Sequence, residues 1–356
     1  MKVALIARST LYSVPGGDTI QVMETCRGLN ELGVNAEIKL SSDAINYEAY
    51  NLLHFFNLVR PADILYHSRK ARKPYIVSTI LVDYSEYDKN HRKGLSSIFS
   101  YLSGDSIEYL KTIARCILGR DRLSGLDYIW KGQRRSIMEI LRNAAMILPN
   151  SESEYRRVVQ TYPSKIKYTV IPNGIDTVKF SQGPAVTKND KLVLCVARIE
   201  GIKNQLNLIK GLNNTGFKVM LIGAPSPGQP GYYKHCTSIA AGNISFTGHL
   251  PQHELAKYYR QAKVHILPSW FETTGLSSLE AAAMGCNVVI SNRGDAKEYF
   301  EDNAFYCDPE RPESLLQAVQ QASAAPCNEK LRQVILEKYT WQQTAAQTLK
   351  AYQIIL

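Results

Sequence analysis

The stretch SWFETTGLSSLEAAAMGCNVVI, from Ser269 to Ile290, holds two glutamates, Glu272 and Glu280, that stand eight positions apart. An apolar run over residues 262–269 precedes this stretch, and NVVI near its end is a second apolar run. The pattern predicts a βαβ unit whose helix runs from Gly275 to Met284. Glu272 would then lie at the strand edge where parallel α/β sheets bind ligands, and Glu280 would lie inside the helix.

The start of this helix is a predicted anion site. The backbone amides of Gly275, Leu276 and Ser277 lack acceptors within the helix and lie at the positive end of its dipole. These features favour an anion such as a diphosphate. Two flanking carboxylates suit a ligand that also carries hydroxyl groups, and a sugar nucleotide has both.

Length and composition indicate a globular protein of two domains. The chain has 356 residues, of which 45% are hydrophobic and 21% are charged, values typical of soluble proteins. Its seven scattered cysteines predict reduced thiols in a cytoplasm, with neither a disulfide framework nor a zinc site. We expect neither a signal peptide nor a membrane-spanning segment, since no apolar run approaches the length needed to span a bilayer. We therefore expect a cytoplasmic protein, and peripheral binding to the inner face of the membrane stays open.

Strand and helix signals alternate along the whole chain, which predicts two doubly wound parallel sheets. The first strand, Met1–Arg8, leads through Gly16 and Gly17 into a helix from Asp18 to Leu32, and Gly33 follows as a stop signal. Residues 179–190 are polar and suggest a linker. Further predicted strands cover residues 35–40, 51–55, 74–80, 144–150 and 167–171, and then 192–196, 218–222, 244–246, 264–267 and 287–290.

The segment Lys89–Arg142 is strongly basic, with 11 basic and five acidic residues. It carries no recognised nucleic-acid-binding motif. Its clearest helix begins near Ser106 and has an apolar stripe beside two cations. The stripe suits either the domain core or the apolar side of a helix on an anionic membrane. The residues concerned are Ile107, Leu110, Ile113 and Ile117 in the stripe, with Phe99, Tyr101 and Leu102 before it, and the cations Lys111 and Arg115.

Two further positions suit chemistry. Arg198 and Lys203 follow the first strand of the second half, and their charges would neutralise a diphosphate at the same sheet edge as Glu272. Asp83 follows the strand at residues 74–80, where it would hold a sugar hydroxyl, act as a general base or cap a turn.

The chain resembles the retaining GT-B glycosyltransferases of family four. The matching segments are ARIEGIKN at residues 197–204, PNGID at 172–176, FTGHL at 246–250, and the block E-TTGLSSL-E at 272–280 followed by AAAMGCNVV. The resemblance implies two Rossmann-like domains that face a cleft, an acceptor-side domain at residues 1–171 and a nucleotide-sugar domain at 172–338. It also implies that a C-terminal helix at 339–356 returns to the first domain. From its own apolar stripe (Trp341, Ala345, Leu349, Tyr352 and Leu356), that helix would be assigned to the core of the second domain.

The resemblance also implies roles for the candidate residues. Arg198 and Lys203 would bind the donor diphosphate, Glu280 the ribose hydroxyls and Glu272 the transferred sugar. The nucleotide would be lined by His249, and Gly16 and Gly17 would close over the phosphates.

The implied reaction is transfer of a sugar from a nucleotide-diphosphate sugar to a glycan or polyprenyl-linked acceptor in surface polysaccharide synthesis, with retention of configuration. Neither a metal nor a cofactor is expected, because cations and the helix dipole stabilise the leaving group. A sugar-nucleotide epimerase and an inactive binding module of the same fold are the alternatives. The residues Thr273 and Thr274 differ from those of many relatives. The chain also lacks the histidine that many relatives carry near the position of Leu81, and Asp83 is expected to take its place.

Overall fold

The computed structural model describes residues 1–83, 87, 103–117, 127–180 and 186–356. These residues form two compact units. The first unit contains Met1–Val82, the described part of Ser97–Asn173, and Trp341–Leu356. The second unit contains Gly174–Thr340, and Asp83 and Tyr87 group with it rather than with the acceptor-side domain expected for Asp83.

The first unit is built on a five-stranded parallel sheet in the order β2-β1-β3-β4-β5. Apolar side chains bury both faces, as a parallel sheet requires. The strands are β1 Lys2–Ala7, β2 Asn35–Leu40, β3 Leu52–Phe56, β4 Tyr75–Ser78 and β5 Met146–Leu148. The helices are Gly17–Glu31, Pro61–Ala71, Gly104–Ile117, Asp127–Asn143, Glu152–Thr161 and Trp341–Ile355, with a short 3₁₀ turn at Tyr47–Ala49.

The strand expected at residues 167–171 does not form. Tyr168 makes a single parallel bridge to Ile147, and two backbone hydrogen bonds flank that bridge. The segment therefore lies beside β5 with one bridge rather than a ladder, and it does not form a sixth strand of the sheet.

The C-terminal helix packs on the first unit. Gly28 lies so close to it that a side chain there would approach the Ala345 Cβ to 2.6 Å. The Tyr352 hydroxyl lies 2.7 Å from Nδ1 of the buried His54, whose Nε2 lies 2.8 Å from the Ser78 hydroxyl. The alternative assignment of this helix to the second domain is therefore wrong.

The second unit contains a six-stranded parallel sheet in the order β11-β10-β9-β6-β7-β8. This is the Rossmann order, in which the chain direction across the sheet reverses between the first and fourth strands, here β6 and β9. The strands are β6 Asn189–Val196, β7 Lys218–Ile222, β8 Ile244–Gly248, β9 Ala262–Leu267, β10 Asn287–Ser291 and β11 Phe305–Cys307. The helices are Gln205–Leu212, Pro230–Ile239, Gln252–Gln261, Leu276–Ala283, Ala296–Phe300, Pro312–Ala324 and Glu329–Lys338, with a 3₁₀ turn at Gly201–Lys203.

Two expectations for the second unit need correction. The short edge strand β11 escaped sequence reasoning, since three residues give too little periodicity to detect. The linker expected at residues 179–190 includes Phe180, which is fully buried in the core beside Tyr259. Its last two residues, Asn189 and Asp190, already belong to β6. Residues 181–185 of that linker lie outside the described residues.

Within the basic segment Lys89–Arg142, the structure describes residues 103–117 and 127–142. Ile107 is buried, but Leu110 is 45% exposed, so the predicted apolar stripe is divided between core and solvent. Phe99, Tyr101 and Leu102, and the side chains of Arg115 and Ile117, lie outside what the structure describes. Within the described ranges no helix has the length and apolarity needed to cross a membrane. All seven cysteines are free thiols.

Candidate nucleotide-sugar site

The predicted glutamate and lysine meet where the second sheet reverses, at the switch point between β6 and β9. Lys203 follows β6, and its Nζ lies 2.5 Å from Oε1 of Glu272, which follows β9. The Ser269 hydroxyl donates to the same oxygen at 2.6 Å. The Glu272 side chain is only 8% exposed and that of Lys203 is 23% exposed. The two residues form a largely desolvated ion pair at the edge where such sheets bind ligands.

The backbone of Glu272 is held by a turn after β10. Gly294 has φ +82°, and a Cβ built on it would lie 2.2 Å from the Glu272 carbonyl oxygen. That same oxygen accepts a 2.7 Å hydrogen bond from the Asp295 amide. Only glycine allows this approach, so Gly294 and Asp295 are positioning residues that sequence reasoning missed. The dipeptide Arg293-Gly294 after a strand was a turn signal that pointed toward them.

The loop after β6 is rigidly anchored. Its Arg198 side chain makes a 3.2 Å ion pair with Glu200. The buried Gln205 amide donates to the Arg198 carbonyl at 2.8 Å. Asn204, in the left-handed region at φ +58°, donates to the Pro268 carbonyl at 3.1 Å. The two loops that carry the candidate residues are thus tied to each other by the Asn204 side chain and also by a 2.9 Å hydrogen bond from the Trp270 amide to the Ile202 carbonyl.

The predicted helix is present as Leu276–Ala283, bounded by Gly275 at φ +72° and Gly285 at φ +77°. The Ser278 amide makes the first turn's hydrogen bond to the Gly275 carbonyl, at 2.8 Å. The preceding amides of Leu276 and Ser277 therefore have no acceptor within the helix and lie at its positive end. This arrangement is suited to an anion beside the Lys203 ammonium.

Glu280 lies within this helix and is buried, with 8% exposure. The Tyr259 hydroxyl donates to one carboxyl oxygen at 3.2 Å, and the Gln252 amide donates to the other at 3.4 Å. Burial raises the pKa of Glu280 to about 8, against the lowering effect of these two hydrogen bonds. The raised pKa favours the protonated form of this carboxyl when no ligand is bound.

The remaining predicted site residues lie in other places. His249 is exposed after β8, and Asp83 is exposed beyond β4. Gly16 and Gly17 lie in the first unit at the start of the helix Gly17–Glu31. Their roles stay predictions.

The glycine turn after β1 has its own anchor. Arg8 binds both carboxylate oxygens of Asp18, at 2.6 and 3.0 Å. The same guanidinium donates to the Thr10 and Val14 carbonyls, each at 2.8 Å. One arginine thus fixes the turn that leads to the two glycines. Sequence reasoning did not single out Arg8, although a cation at the end of a first strand was a visible signal.

Residues 177–340 match the family model described as glycosyl transferases group 1. This segment is a group 1 glycosyltransferase domain. A D-inositol 3-phosphate glycosyltransferase from Acidothermus cellulolyticus is 27% identical over 182 residues, which cover 44% of this chain and 40% of the relative. The O-antigen chain mannosyltransferase B of Escherichia coli is 28% identical over 118 residues, which cover 32% of this chain and 31% of the relative. The first curated relatives are matched over 40–58% of their own length.

Solved structures share the fold of this chain. Sucrose-phosphate synthase from Thermosynechococcus elongatus superposes with a TM-score of 0.77 at 15% identity, covering 99% of both chains. Anabaena HepE, solved with UDP and glucose, gives a TM-score of 0.72 at 15% identity, covering 99% of this chain and 100% of its own. The predicted resemblance and the GT-B architecture of two Rossmann-like domains are confirmed.

Proposed function

We propose that this chain is a retaining glycosyltransferase that moves a sugar from a nucleotide-diphosphate sugar to a glycan or lipid-linked acceptor in surface polysaccharide synthesis. The observation that carries the proposal is the largely desolvated Lys203–Glu272 pair at the switch point. A cation, a carboxylate and the start of a helix at one sheet edge together suit a diphosphate that bears a sugar. The group 1 match over residues 177–340 supports the same conclusion.

Each part of the donor has a suitable group. Arg198, Lys203 and the amides of Leu276 and Ser277 would bind the diphosphate. Glu280 would accept hydrogen bonds from the ribose hydroxyls, and Glu272 would accept them from the sugar. His249, Gly16 and Gly17 would complete the nucleotide and phosphate contacts.

The transfer itself requires charge stabilisation at the leaving group. As the bond between the anomeric carbon and the diphosphate oxygen breaks, negative charge develops on the diphosphate. Lys203, Arg198 and the helix dipole would stabilise that charge without a metal ion. The acceptor hydroxyl attacks the same face of the sugar, and its proton passes to a donor phosphate oxygen. Asp83 is the candidate for holding the acceptor.

Thermal unfolding in the presence of UDP- and GDP-sugars tests the donor assignment, because a ligand of the native state raises the melting temperature. The stabilising donor is then incubated with glycan and polyprenyl-linked acceptors, and the anomeric configuration of the product is read by NMR. We expect Lys203→Met to abolish transfer. The control Lys234→Met changes an exposed lysine of the same unit and leaves transfer intact.

Three outcomes would contradict the proposal. An altered sugar nucleotide formed without acceptor would identify an epimerase. Donor binding with neither transfer nor slow hydrolysis would identify an inactive binding module. Full transfer activity in Lys203→Met would show that this site does not take part in the reaction.

A further inference from the structure

The first unit presents one large aromatic side chain to solvent. Trp130, near the start of the helix Asp127–Asn143, is 87% exposed, and the adjacent Ile129 is 40% exposed. The other two tryptophans of the chain, Trp270 and Trp341, are 4% and 2% exposed. Leu110 on the neighbouring helix Gly104–Ile117 is 45% exposed. The other two tryptophans bury their large apolar area, whereas Trp130 leaves it in contact with water. Such an exposed aromatic side chain indicates a binding surface.

The backbone that carries Trp130 is held in place. Gly132, at φ +70°, interrupts the helix just after it. On the inner side Tyr128 is 2% exposed, and its hydroxyl donates to the Gln133 side chain at 2.6 Å. The Tyr109 hydroxyl donates to the Ile129 carbonyl at 2.8 Å. The first turn of the helix is therefore anchored inward while Trp130 projects outward.

Basic residues surround this turn. Residues 60–73 and 127–142 together contain nine basic and three acidic residues. The acidic Asp127 and Glu139 both pair with Arg69, and Glu139 also pairs with Lys131 at 2.8 Å. Arg134, which is 52% exposed, pairs with Asp105 at 3.5 Å. The exposed side chains of Arg135 and Arg142 add to the positive surface.

A cavity of about 250 Å³ opens beside the same turn. Ala62 and Leu65 give it an apolar lining, and Tyr66, Tyr128 and Lys70 add polar groups. Arg69 and Asp127 also line it, and these two pair with each other. The Lys70 ammonium donates to the Tyr66 hydroxyl at 2.9 Å. A cation and a hydroxyl over an apolar floor match the chemistry of a phosphate headgroup attached to glycerol and acyl chains.

We propose that this surface, formed by Tyr66, Lys70, Ile129, Trp130 and Arg135, binds an anionic phospholipid bilayer. Trp130 enters the interfacial region, where its ring is buried and its indole N–H still reaches polar groups. The cations contact lipid phosphates, and their attraction adds to the burial of Trp130 and Ile129.

The distribution of the apolar side chains favours a membrane over a protein partner. A protein interface has a contiguous apolar centre with a polar rim. Here one projecting tryptophan stands among arginines and lysines, which is the arrangement of an interfacial membrane anchor. This inference goes beyond glycosyl transfer, because membrane binding requires neither donor nor acceptor.

The test follows tryptophan emission of the full chain during titration with vesicles of equal parts phosphatidylglycerol and phosphatidylcholine. Because Trp270 and Trp341 are buried, the signal reports mainly on Trp130. We expect a blue shift with the anionic vesicles, quenching by lipids brominated on the acyl chain, and little response to pure phosphatidylcholine. High salt reverses the binding, since it screens the cations.

Variants separate the two parts of the surface. Trp130→Ala and the double change Lys70→Glu with Arg135→Glu should each weaken vesicle co-sedimentation roughly tenfold. Val178→Ala, which truncates an 80% exposed residue of the second unit, should bind like the wild type. Circular dichroism checks that every variant is folded.

The proposal is overturned if the wild type does not bind the anionic vesicles or if Trp130→Ala binds them unchanged. It is also overturned if light scattering shows a self-association that disappears in Trp130→Ala, because the occupant of the surface would then be a second copy of the chain. Donor binding, measured on the same preparations, tells these failures apart from a failure of the proposed function.

Discussion

Glu280→Gln is expected to raise the free energy of unfolding at alkaline pH and to weaken donor binding. In the native state the Glu280 carboxyl is buried, and burial raises its pKa from 4.5 to about 8. Glutamine has nearly the same shape and still bonds to Tyr259 and Gln252, but it does not titrate. The variant therefore isolates the free energy of placing an ionisable group at this position.

The sign and magnitude follow from proton linkage. Below about pH 4.5 the carboxyl is protonated in both the native and the unfolded state, so it does not contribute to the pH dependence of stability. Between about pH 4.5 and pH 8 the unfolded state releases the proton and the native state keeps it. Stability then falls by about 1.4 kcal/mol per pH unit, to a total of about 3–5 kcal/mol.

Urea unfolding of the wild type and Glu280→Gln at several pH values measures this difference directly. Other titrating groups cancel in the comparison. The two proteins should have similar free energies of unfolding near about pH 5, and the variant should be more stable by about 3–5 kcal/mol above about pH 8. Equal stability at alkaline pH would show that Glu280 is already ionised in the native protein and would refute the reasoning.

Donor binding should respond in the opposite way. Ribose hydroxyls that donate to Glu280 favour its ionised form, so nucleotide binding below about pH 8 should release a proton. Calorimetry in two buffers of different ionisation enthalpy detects that proton. Glu280→Gln should abolish the release and weaken binding by about tenfold to a hundredfold, the usual value of hydrogen bonds to a charged group. Unchanged affinity would show that Glu280 does not hold the ribose.

Three further changes test the packing around the site and the fold. Lys203→Met leaves the buried Glu272 carboxylate without its cation and should lower the free energy of unfolding in urea by about 3 kcal/mol; an unchanged value would mean that solvent already stabilises the carboxylate. Gly294→Ala places a Cβ 2.2 Å from a backbone oxygen at a φ of +82° and should destabilise by about 2 kcal/mol. The control Gly228→Ala meets no atom within 4 Å and should change the melting temperature little. Tyr352→Phe removes a buried hydrogen bond and should lower stability by about 1 kcal/mol; no change would indicate that the histidine finds another partner.

Much of the second unit could be predicted because its signals are local. The helix Leu276–Ala283 follows from two glycines and an apolar run between two strands, and all of these lie within a few residues. The switch-point position of Glu272 follows from the same alternation. The strand expected at residues 167–171 does not form because a strand also needs ladder pairing with a neighbour, and here Tyr168 makes only one bridge to Ile147.

Periodicity, glycine and charge are properties of short segments, so the residues alone predict the alternation of strands and helices, an anion site at a helix start and residue types suited to a sugar nucleotide. Which groups meet depends on the tertiary structure. Lys203 and Glu272 are far apart in the chain and contact each other because β6 and β9 are neighbours in the sheet. Likewise the raised pKa of Glu280, the close approach of Gly294 and the exposure of Trp130 depend on which distant atoms surround each residue. Burial and desolvation are properties of the folded arrangement, and no local pattern encodes them.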